Sequence, residues 1–186
     1  MTLVYQSTRD AQNTVTASQA ILQGLATDGG LFTPVSYPQV DLDFDKLKDA
    51  SYQEVAKLVL SAFLDDLHQK SWTTVSPMPM TASLTLQPLP LLLSLDGQYN
   101  LELFHGSTIA FKDMALSLLP HLMTLSLKQL KEDREVMILA ATSGDTGKAA
   151  LEGFKDVEGT CIKVFYPLDG VSAIQQQQMV SQEGKN

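Results

Sequence analysis

One lysine and one glycine-rich turn hold most of the chemical information in this 186-residue sequence. Lys112 follows Ala110 and Phe111, so its amine lies where an apolar stretch meets the start of a predicted helix. About one helix later, Thr142–Gly147 is a predicted turn between a strand and a helix, which is suited to holding an anion. An amine nucleophile near an anion site indicates carbonyl chemistry, in which the lysine forms a Schiff base.

Lys112 has an ordinary interpretation as well as a catalytic one. An amine attacks an aldehyde only when it is neutral, so a catalytic lysine needs partial burial or a cationic neighbour. Ala110 and Phe111 supply an apolar flank. The alternative is a surface lysine at a helix start beside Asp113, which describes most lysines in such a position.

The turn after the predicted strand offers backbone and side-chain donors. In an open α/β sheet it would lie at the carboxyl edge of the strands, where ligands bind. Gly144 and Gly147 would let the backbone approach a ligand, while Ser143 and Thr146 add hydroxyl groups. Asp145 either serves the ligand or acts as a helix N-cap.

The same turn ends in Gly-Lys, as a nucleotide-binding P-loop does. That motif needs glycine where Thr142 stands and a hydroxyl residue where Ala149 stands, so the sequence does not favour nucleotide hydrolysis.

Composition restricts the partners and the compartment. The net charge of −8, with no basic patch, argues against nucleic acid and anionic membranes. The single Cys161 cannot form an internal disulfide, and no targeting segment is visible, so a cytoplasmic protein is expected. The uncharged stretch 71–95 contains four prolines and cannot be a membrane helix. No spacing of histidine, cysteine and carboxylate residues predicts a metal site.

The hydrophobic pattern and the turn residues predict an α/β protein. A mostly helical region over 1–90 should end in a proline-rich connector at 76–90, and 91–186 should contain the first part of a parallel-sheet α/β domain. Predicted helices cover 16–25, 52–68, 112–131 with an interruption or bend at Pro120, 148–155 and 172–182. Predicted strands cover 3–5, a hairpin at 91–95 and 99–104, a strand at 136–141 buried on both faces, and 160–166.

Five segments of the chain resemble the threonine synthase family of pyridoxal-phosphate (PLP) enzymes, which have the tryptophan-synthase-like fold. In chain order the segments are Tyr5–Arg9, Gln23–Pro34, Phe104–Asp113, Ala141–Gly147 and the stretch from Tyr166 to Gln178. Ser107 and Lys148 depart from the family pattern, where proline and a small residue are expected. The four glutamines at 175–178 would otherwise be interpreted as a polar helix face.

The resemblance implies roles for particular residues. Lys112 would be the catalytic lysine that binds PLP, and Asp145 would lie near the hydroxyl of the cofactor ring. The substrate carboxylate would be held by the turn, through Thr142, Ser143, Gly144 and Thr146. The implied reaction converts O-phospho-L-homoserine and water into L-threonine and phosphate. His105 would either orient the substrate phosphate or pack within its loop.

The family's glycine-rich loop for the PLP phosphate has no counterpart in this sequence, and neither has its group facing the pyridine nitrogen. The chain is therefore expected to be the N-terminal portion of a longer enzyme, with the remainder of the same polypeptide as its partner. The alternatives are a catalytically inactive fragment or binding module, and a related phospholyase that eliminates phosphate without adding water correctly.

Overall fold

The computed structural model describes residues 2–67, 91–93 and 97–186. The chain forms two compact units, one of Met1–Thr81 with Leu125–Glu132 and the other of Ala82–Thr124 with Asp133–Asn186. The predicted connector at 76–90 and the predicted region boundary at its end lie outside the described residues, so that boundary stays a prediction.

The first unit contains a small antiparallel sheet with strand order β2-β1-β3. In the central strand, Tyr5 pairs with Val15 on one side and with Pro34 on the other. The strands are β1 (Tyr5–Ser7), β2 (Thr14–Val15) and β3 (Phe32–Pro34). The first strand therefore begins two residues later than the predicted start at residue 3.

Helix α1 (Ala17–Gln23) begins and ends on local signals. The Thr16 hydroxyl accepts a hydrogen bond from the Gln19 amide, and the Gln19 side chain accepts one from the Thr16 amide. Gly24 ends the helix at φ +70°, where a residue without Cβ is favoured. The predicted helix over 16–25 is confirmed, with slightly shorter ends.

A short helix α2 (Phe44–Leu47) precedes helix α3 (Tyr52–Phe63), which a Ser51–Glu54 capping box opens. The predicted end at residue 68 is wrong, because the helix stops at Leu64. The residues around that end bind the N-terminal segment instead of continuing the helix. The Tyr5 hydroxyl donates to the Phe63 carbonyl, Asp65 accepts from the Leu3 amide, and Asp66 accepts from the Ser18 amide.

The second unit begins with the predicted hairpin. Strands β4 (Leu91–Leu93) and β5 (Tyr99–Leu101) pair antiparallel, with Leu91 opposite Leu101. Gly97 has φ +73°, as a tight hairpin connection favours. Residues 94–96, which include the end of the first predicted strand, lie outside the described residues.

The predicted helix over 112–131 is two helices, α4 (Asp113–Leu116) and α5 (Leu119–Leu130). Pro120 occupies the first turn of α5, where a missing N–H leaves no intrahelical bond unmade. The predicted interruption at Pro120 is confirmed, and it falls just before the proline.

A βαβ unit forms the centre of the second unit, as predicted. Strands β6 (Val136–Ala141) and β7 (Thr160–Phe165) run parallel, with Val136 beside Thr160. The connecting helix α6 (Asp145–Phe154) packs on them through buried side chains, of which Phe154 is fully buried. This helix begins three residues before the predicted start at 148, because the amides of Gly147 and Lys148 already bond to the Gly144 carbonyl.

Burial of β6 on both faces was predicted, and the described residues show otherwise. Helix α6 lies on the face that contains Val164, which is close to Gly147. On the opposite face Met137 is 45 % exposed, Leu139 67 % and Phe165 60 %. The side chains of β6 therefore alternate between half-buried and exposed.

Helix α7 (Ala173–Val180) follows β7 and packs on α6 through the buried Met179. The Ser172 hydroxyl is its N-cap, so the predicted helix 172–182 is confirmed with slightly shorter ends. Asn186 then fastens the end of α6 to the start of β7. Its amide nitrogen donates to the carbonyls of Phe154 and Thr160, and its oxygen accepts from the Asp156 amide.

Candidate active site

Lys112 stands immediately before α4 and is half-buried. Its carbonyl accepts the first hydrogen bond of that helix, from the Leu116 amide. Its Nζ atom lies 4.3 Å from the centroid of the Phe111 ring. The ring face attracts a protonated amine, so the predicted apolar flank is a direct cation–π contact. The structure gives this amine no ion pair among the described residues.

A buried carboxylate fixes the loop that leads to Lys112. Asp113 is 7 % exposed and accepts hydrogen bonds from the Thr108 amide, at 2.9 Å, and from the Thr108 hydroxyl. Any side chain at Gly106 would overlap the same carboxylate. Burying an ionised group is unfavourable unless polar partners replace its water, and Thr108 supplies them. Asp113 is therefore occupied by the loop and does not pair with the lysine.

The loop also contains a strained residue. Ile109 has φ +63°, a conformation that β-branched side chains rarely adopt, and its amide bonds to the Gly106 carbonyl. Such outliers persist where surrounding contacts determine them, and they are common at functional sites. No local sequence pattern marks Thr108 or Ile109 as functional. The only sequence signal for them was their place inside the segment with the family resemblance.

The second candidate segment, the turn 142–147, is held together by a neutral hydroxyl. The Thr142 Oγ1 atom accepts from the amides of Gly144 and Gly147, both at 3.1 Å. A hydroxyl that accepts two bonds still has its own hydrogen to donate, so the predicted role of Thr142 toward a ligand is chemically open. The oxygen atom itself stabilises the turn by accepting these two bonds.

The two glycines of this turn are required by neighbouring protein atoms. Gly144 has φ +149°, and a Cβ atom there would come within 2.5 Å of the Gln175 amide. A Cβ at Gly147 would overlap the Thr142 methyl group and lie 2.9 Å from Val164. The glycines therefore explain the close packing of the turn, in addition to any approach of a ligand.

Helix α6 starts at this turn and leaves donors free. The structure assigns the amides of Gly147 and Lys148 to the Gly144 carbonyl. In the part of the chain that it describes, it gives no partner to the amides of Ser143, Asp145 and Thr146. Free amides and the positive end of the helix dipole favour an anion at this position.

Asp145 is the first residue of α6, and Gly144 is the N-cap. The alternative role of Asp145 as the N-cap therefore does not apply to this geometry. The carboxylate is exposed, and its Oδ1 atom accepts a hydrogen bond from the Gln175 Nε2 atom at 2.8 Å.

The structure places Thr142, Ser143, Gly144, Asp145 and Thr146 on one turn. Lys112 belongs to a different segment, whose helix α4 packs on α6, with the Leu116 carbonyl against Gly153. Within the described residues no hydrogen bond or ion pair joins Lys112 to the turn. The two segments could therefore act together only through a ligand that contacts both of them.

Two further polar residues lie beside these segments. His105 contacts Glu102 at 2.6 Å and stacks on Phe104, in an exposed position. Lys148 donates to Gln182 and lies 3.7 Å from Glu152, which directs its amine away from an anion in the turn. This pairing also explains how the turn accommodates a lysine where the family pattern expects a small residue.

The described residues contain neither a metal-ligand cluster nor a membrane-spanning helix. No cluster of histidine, cysteine, aspartate and glutamate side chains there could hold a metal ion. None of the helices they form has the length and apolar content needed to cross a bilayer.

Comparison with known proteins agrees with this architecture. Residues 4–75 match the family described as "Threonine synthase N terminus". The threonine synthase of Saccharomyces cerevisiae is 34% identical over 98% of this chain. The crystal structure of a PLP-bound threonine synthase from Brucella melitensis superimposes with a TM-score of 0.82 at 39% identity, covering 96% of this chain. The threonine synthase from Escherichia coli gives 0.80 at 29% identity, over 97% of the chain.

The small-strand and helical region followed by a parallel βαβ unit defines an α/β protein with the tryptophan-synthase-like fold of PLP enzymes. Within that class, the chain belongs to the threonine synthase family. It spans 38% of the length of the yeast relative, and 38% and 41% of the two solved structures.

Proposed function

We propose that this chain supplies the lysine and the substrate-carboxylate site of a threonine synthase, which converts O-phospho-L-homoserine and water into L-threonine and phosphate. The observation that carries the proposal is the arrangement of Lys112. Among the described residues, the Lys112 amine is half-buried and has no ion pair, and it is held by a loop whose only buried carboxylate is bonded to Thr108.

The described residues fit PLP. The Lys112 amine is available for a covalent link to the cofactor aldehyde, and the exposed Asp145 carboxylate can accept a hydrogen bond from a ring hydroxyl. When bound, PLP stabilises the negative charge left as a proton leaves Cα of an amino acid. Lys112 would hold the cofactor and then carry protons at Cα and Cβ of the substrate.

The turn at the start of α6 is proposed to hold the substrate carboxylate. The amides of Ser143 and Thr146, with the hydroxyls of Thr142, Ser143 and Thr146, would donate to it, and Gly144 would let it approach the backbone. Fixing the carboxylate fixes Cα relative to the lysine, which is a pre-organisation contribution to the rate. Thr142 would use the hydrogen that its two accepted bonds leave free.

The proposal for these 186 residues alone is narrower. The chain spans about two fifths of the yeast relative, and the family's loop for the cofactor phosphate has no counterpart in its sequence. We therefore expect weak PLP binding and no sustained turnover from this chain alone, because the phosphate contributes much of a cofactor's anchoring.

The lysine assignment is tested by treating the chain with excess PLP and borohydride, then mapping the modified lysine by mass spectrometry. Wild type should be modified at Lys112, and Lys112→Ala should lose that adduct. Lys128→Ala, which removes an exposed lysine of α5, is the matched control and should keep it. Equal modification of Lys112→Ala at another lysine would show that the reaction is non-specific.

Turnover is tested by supplying O-phospho-L-homoserine and measuring phosphate and amino-acid products. Sustained, PLP-dependent release of phosphate with threonine by the 186 residues would contradict the expectation for the chain alone. Phosphate released with a 2-oxo acid instead of threonine would assign the elimination-only alternative.

A further inference from the structure

One of the four glutamines at 175–178 differs from its neighbours in its contacts. Gln175 is the third residue of α7 and is half-buried, whereas Gln176 and Gln177 are exposed. Among the described residues, the structure records side-chain hydrogen bonds for Gln175 and none for the next three glutamines. The polar helix face expected from the sequence therefore includes one residue with a separate role.

The amide of Gln175 connects two helix starts. Its Oε1 atom accepts from the Ser172 amide at 3.2 Å and from the Ser172 hydroxyl at 3.1 Å, which completes the capping box of α7. Its Nε2 atom donates to Asp145 at the start of α6. The amide orientation follows from chemistry, because a backbone N–H can only donate and an ionised carboxylate can only accept.

The backbone of the turn lies against the same amide. Gly144 allows this approach, because a Cβ atom there would meet the Gln175 nitrogen, carbon and oxygen at 2.5 to 2.8 Å. Gln175 therefore contacts both the N-cap residue and the first residue of α6. The capping box fixes one end of its amide, so the other end presents its donor at a defined place.

Without such a donor, an exposed aspartate in the first turn of a helix can make a different contact. Its carboxylate can rotate toward free amides of its own helix, as aspartates at helix starts commonly do. In this turn the amides without a partner among the described residues are those of Ser143, Asp145 and Thr146. A carboxylate that occupied them would compete with an incoming anion and would leave the place where it could meet a ring hydroxyl.

We propose that Gln175 is a positioning residue that holds the Asp145 carboxylate toward the cofactor and away from the anion-binding amides of the turn. This inference rests on the proposed function. Helix α7 would thereby contribute to the site, because the Gln175 side chain both caps α7 and orients the Asp145 carboxylate of α6.

The decisive variant is Gln175→Glu. Glutamate is a normal capping-box residue, so Ser172 keeps its acceptor, but the donor to Asp145 becomes a second carboxylate. Gln177→Glu adds the same charge to the same helix at an exposed position and is the matched control. Gln175→Glu with Asp145→Asn exchanges the two roles, since the asparagine can donate to the new carboxylate.

The readout is the rate at which PLP and borohydride modify Lys112, measured on the full chain and divided by the folded fraction. We expect Gln175→Glu to lower this rate about tenfold relative to Gln177→Glu, the size expected when a hydrogen bond to a charged acceptor is lost. Urea unfolding of wild type, Gln175→Glu, Asp145→Asn and the double variant gives the coupling between positions 145 and 175. The double variant should recover stability lost in Gln175→Glu.

The outcomes separate the two proposals. Absence of Lys112 modification in wild type would overturn the proposed function, and this inference with it. Modification in wild type with equal rates for Gln175→Glu and Gln177→Glu would overturn the positioning role alone. If Gln175→Glu does not fold, a folded double variant supports the pair, and a double variant equally unfolded overturns it.

Discussion

Asp113 and Asp145 occupy the same kind of position, the first residue of a short helix, and have opposite environments. Asp113 opens α4, is buried, and accepts two hydrogen bonds from Thr108. Asp145 opens α6, is exposed, and accepts one bond from a side chain of another helix. The first carboxylate is used by the fold, and the second remains available to a ligand.

The loops around the two aspartates differ in the same way. The loop 106–113 is closed by a charged group buried inside it. The turn 142–147 is closed by the neutral Thr142 hydroxyl and by glycines packed against neighbouring side chains. A site that must bind an anion benefits from the second design, because its shape does not depend on a buried negative charge and its helix amides stay free.

The largest effect is expected from Asp113→Ala. The change leaves the buried Thr108 amide and hydroxyl without an acceptor, and we expect it to lower the free energy of unfolding by about 3 kcal/mol. Asp113→Asn keeps an acceptor for the amide and should lose less than half of that. Urea unfolding of the three proteins measures the difference. A wild-type stability for Asp113→Ala would show that the two aspartates do not differ as described.

The Thr142 hydroxyl should come next. Thr142→Val keeps the shape of the side chain and leaves the Gly144 amide without its acceptor, while the Gly147 amide keeps its bond to the Gly144 carbonyl. This loss should cost about 1.5 kcal/mol. Thr142→Ser keeps the oxygen and should stay much closer to wild type. If valine and serine gave equal stability, the hydroxyl would not hold the turn, and the contrast between the two loops would rest on the glycines alone.

Gly147→Ala tests those glycines. Overpacking against Thr142 and Val164 should cost about 2 kcal/mol, while alanine in a helix returns about 1 kcal/mol, so a net loss of about 1 kcal/mol is expected. Gly184→Ala is the control, because a Cβ there has no neighbour closer than 3.6 Å. The shift in denaturation midpoint measures both variants. If Gly147→Ala were as stable as Gly184→Ala, close packing would not explain the glycine at position 147.

Local signals predicted much of the fold. Thr16 and Gly24 mark the limits of α1, the Ser51–Glu54 pair opens α3, and the apolar run 136–141 forms β6. Each of these features depends on residues within a few positions of one another, so periodicity and capping chemistry were sufficient.

The features that local sequence patterns do not predict depend on contacts between separated segments. The end of α3 depends on Leu3 and Tyr5, which lie 62 and 58 residues from their partners. Gln175 reaches Asp145 across 30 residues. The capping-box spacing from Ser172 marks Gln175 as a cap, but no local pattern predicts its bond to Asp145 or distinguishes Asp113 from Asp145. The family resemblance located the candidate residues, and the packing separates their roles.

The smallest effect on stability is expected from Asp145→Ala, and it completes the comparison. Removing an exposed carboxylate from the first turn of α6 should cost about 0.5 kcal/mol, the usual size of a charge–dipole interaction there. The rate of Lys112 modification by PLP should nevertheless fall well beyond the change in folded fraction, because the group proposed to meet the cofactor ring is gone. Asp145→Asn keeps an oxygen that can accept from Gln175 and should retain more of the rate than alanine. A modification rate that followed the folded fraction in both variants would make Asp145 a purely structural residue, equivalent in role to Asp113 despite its exposure.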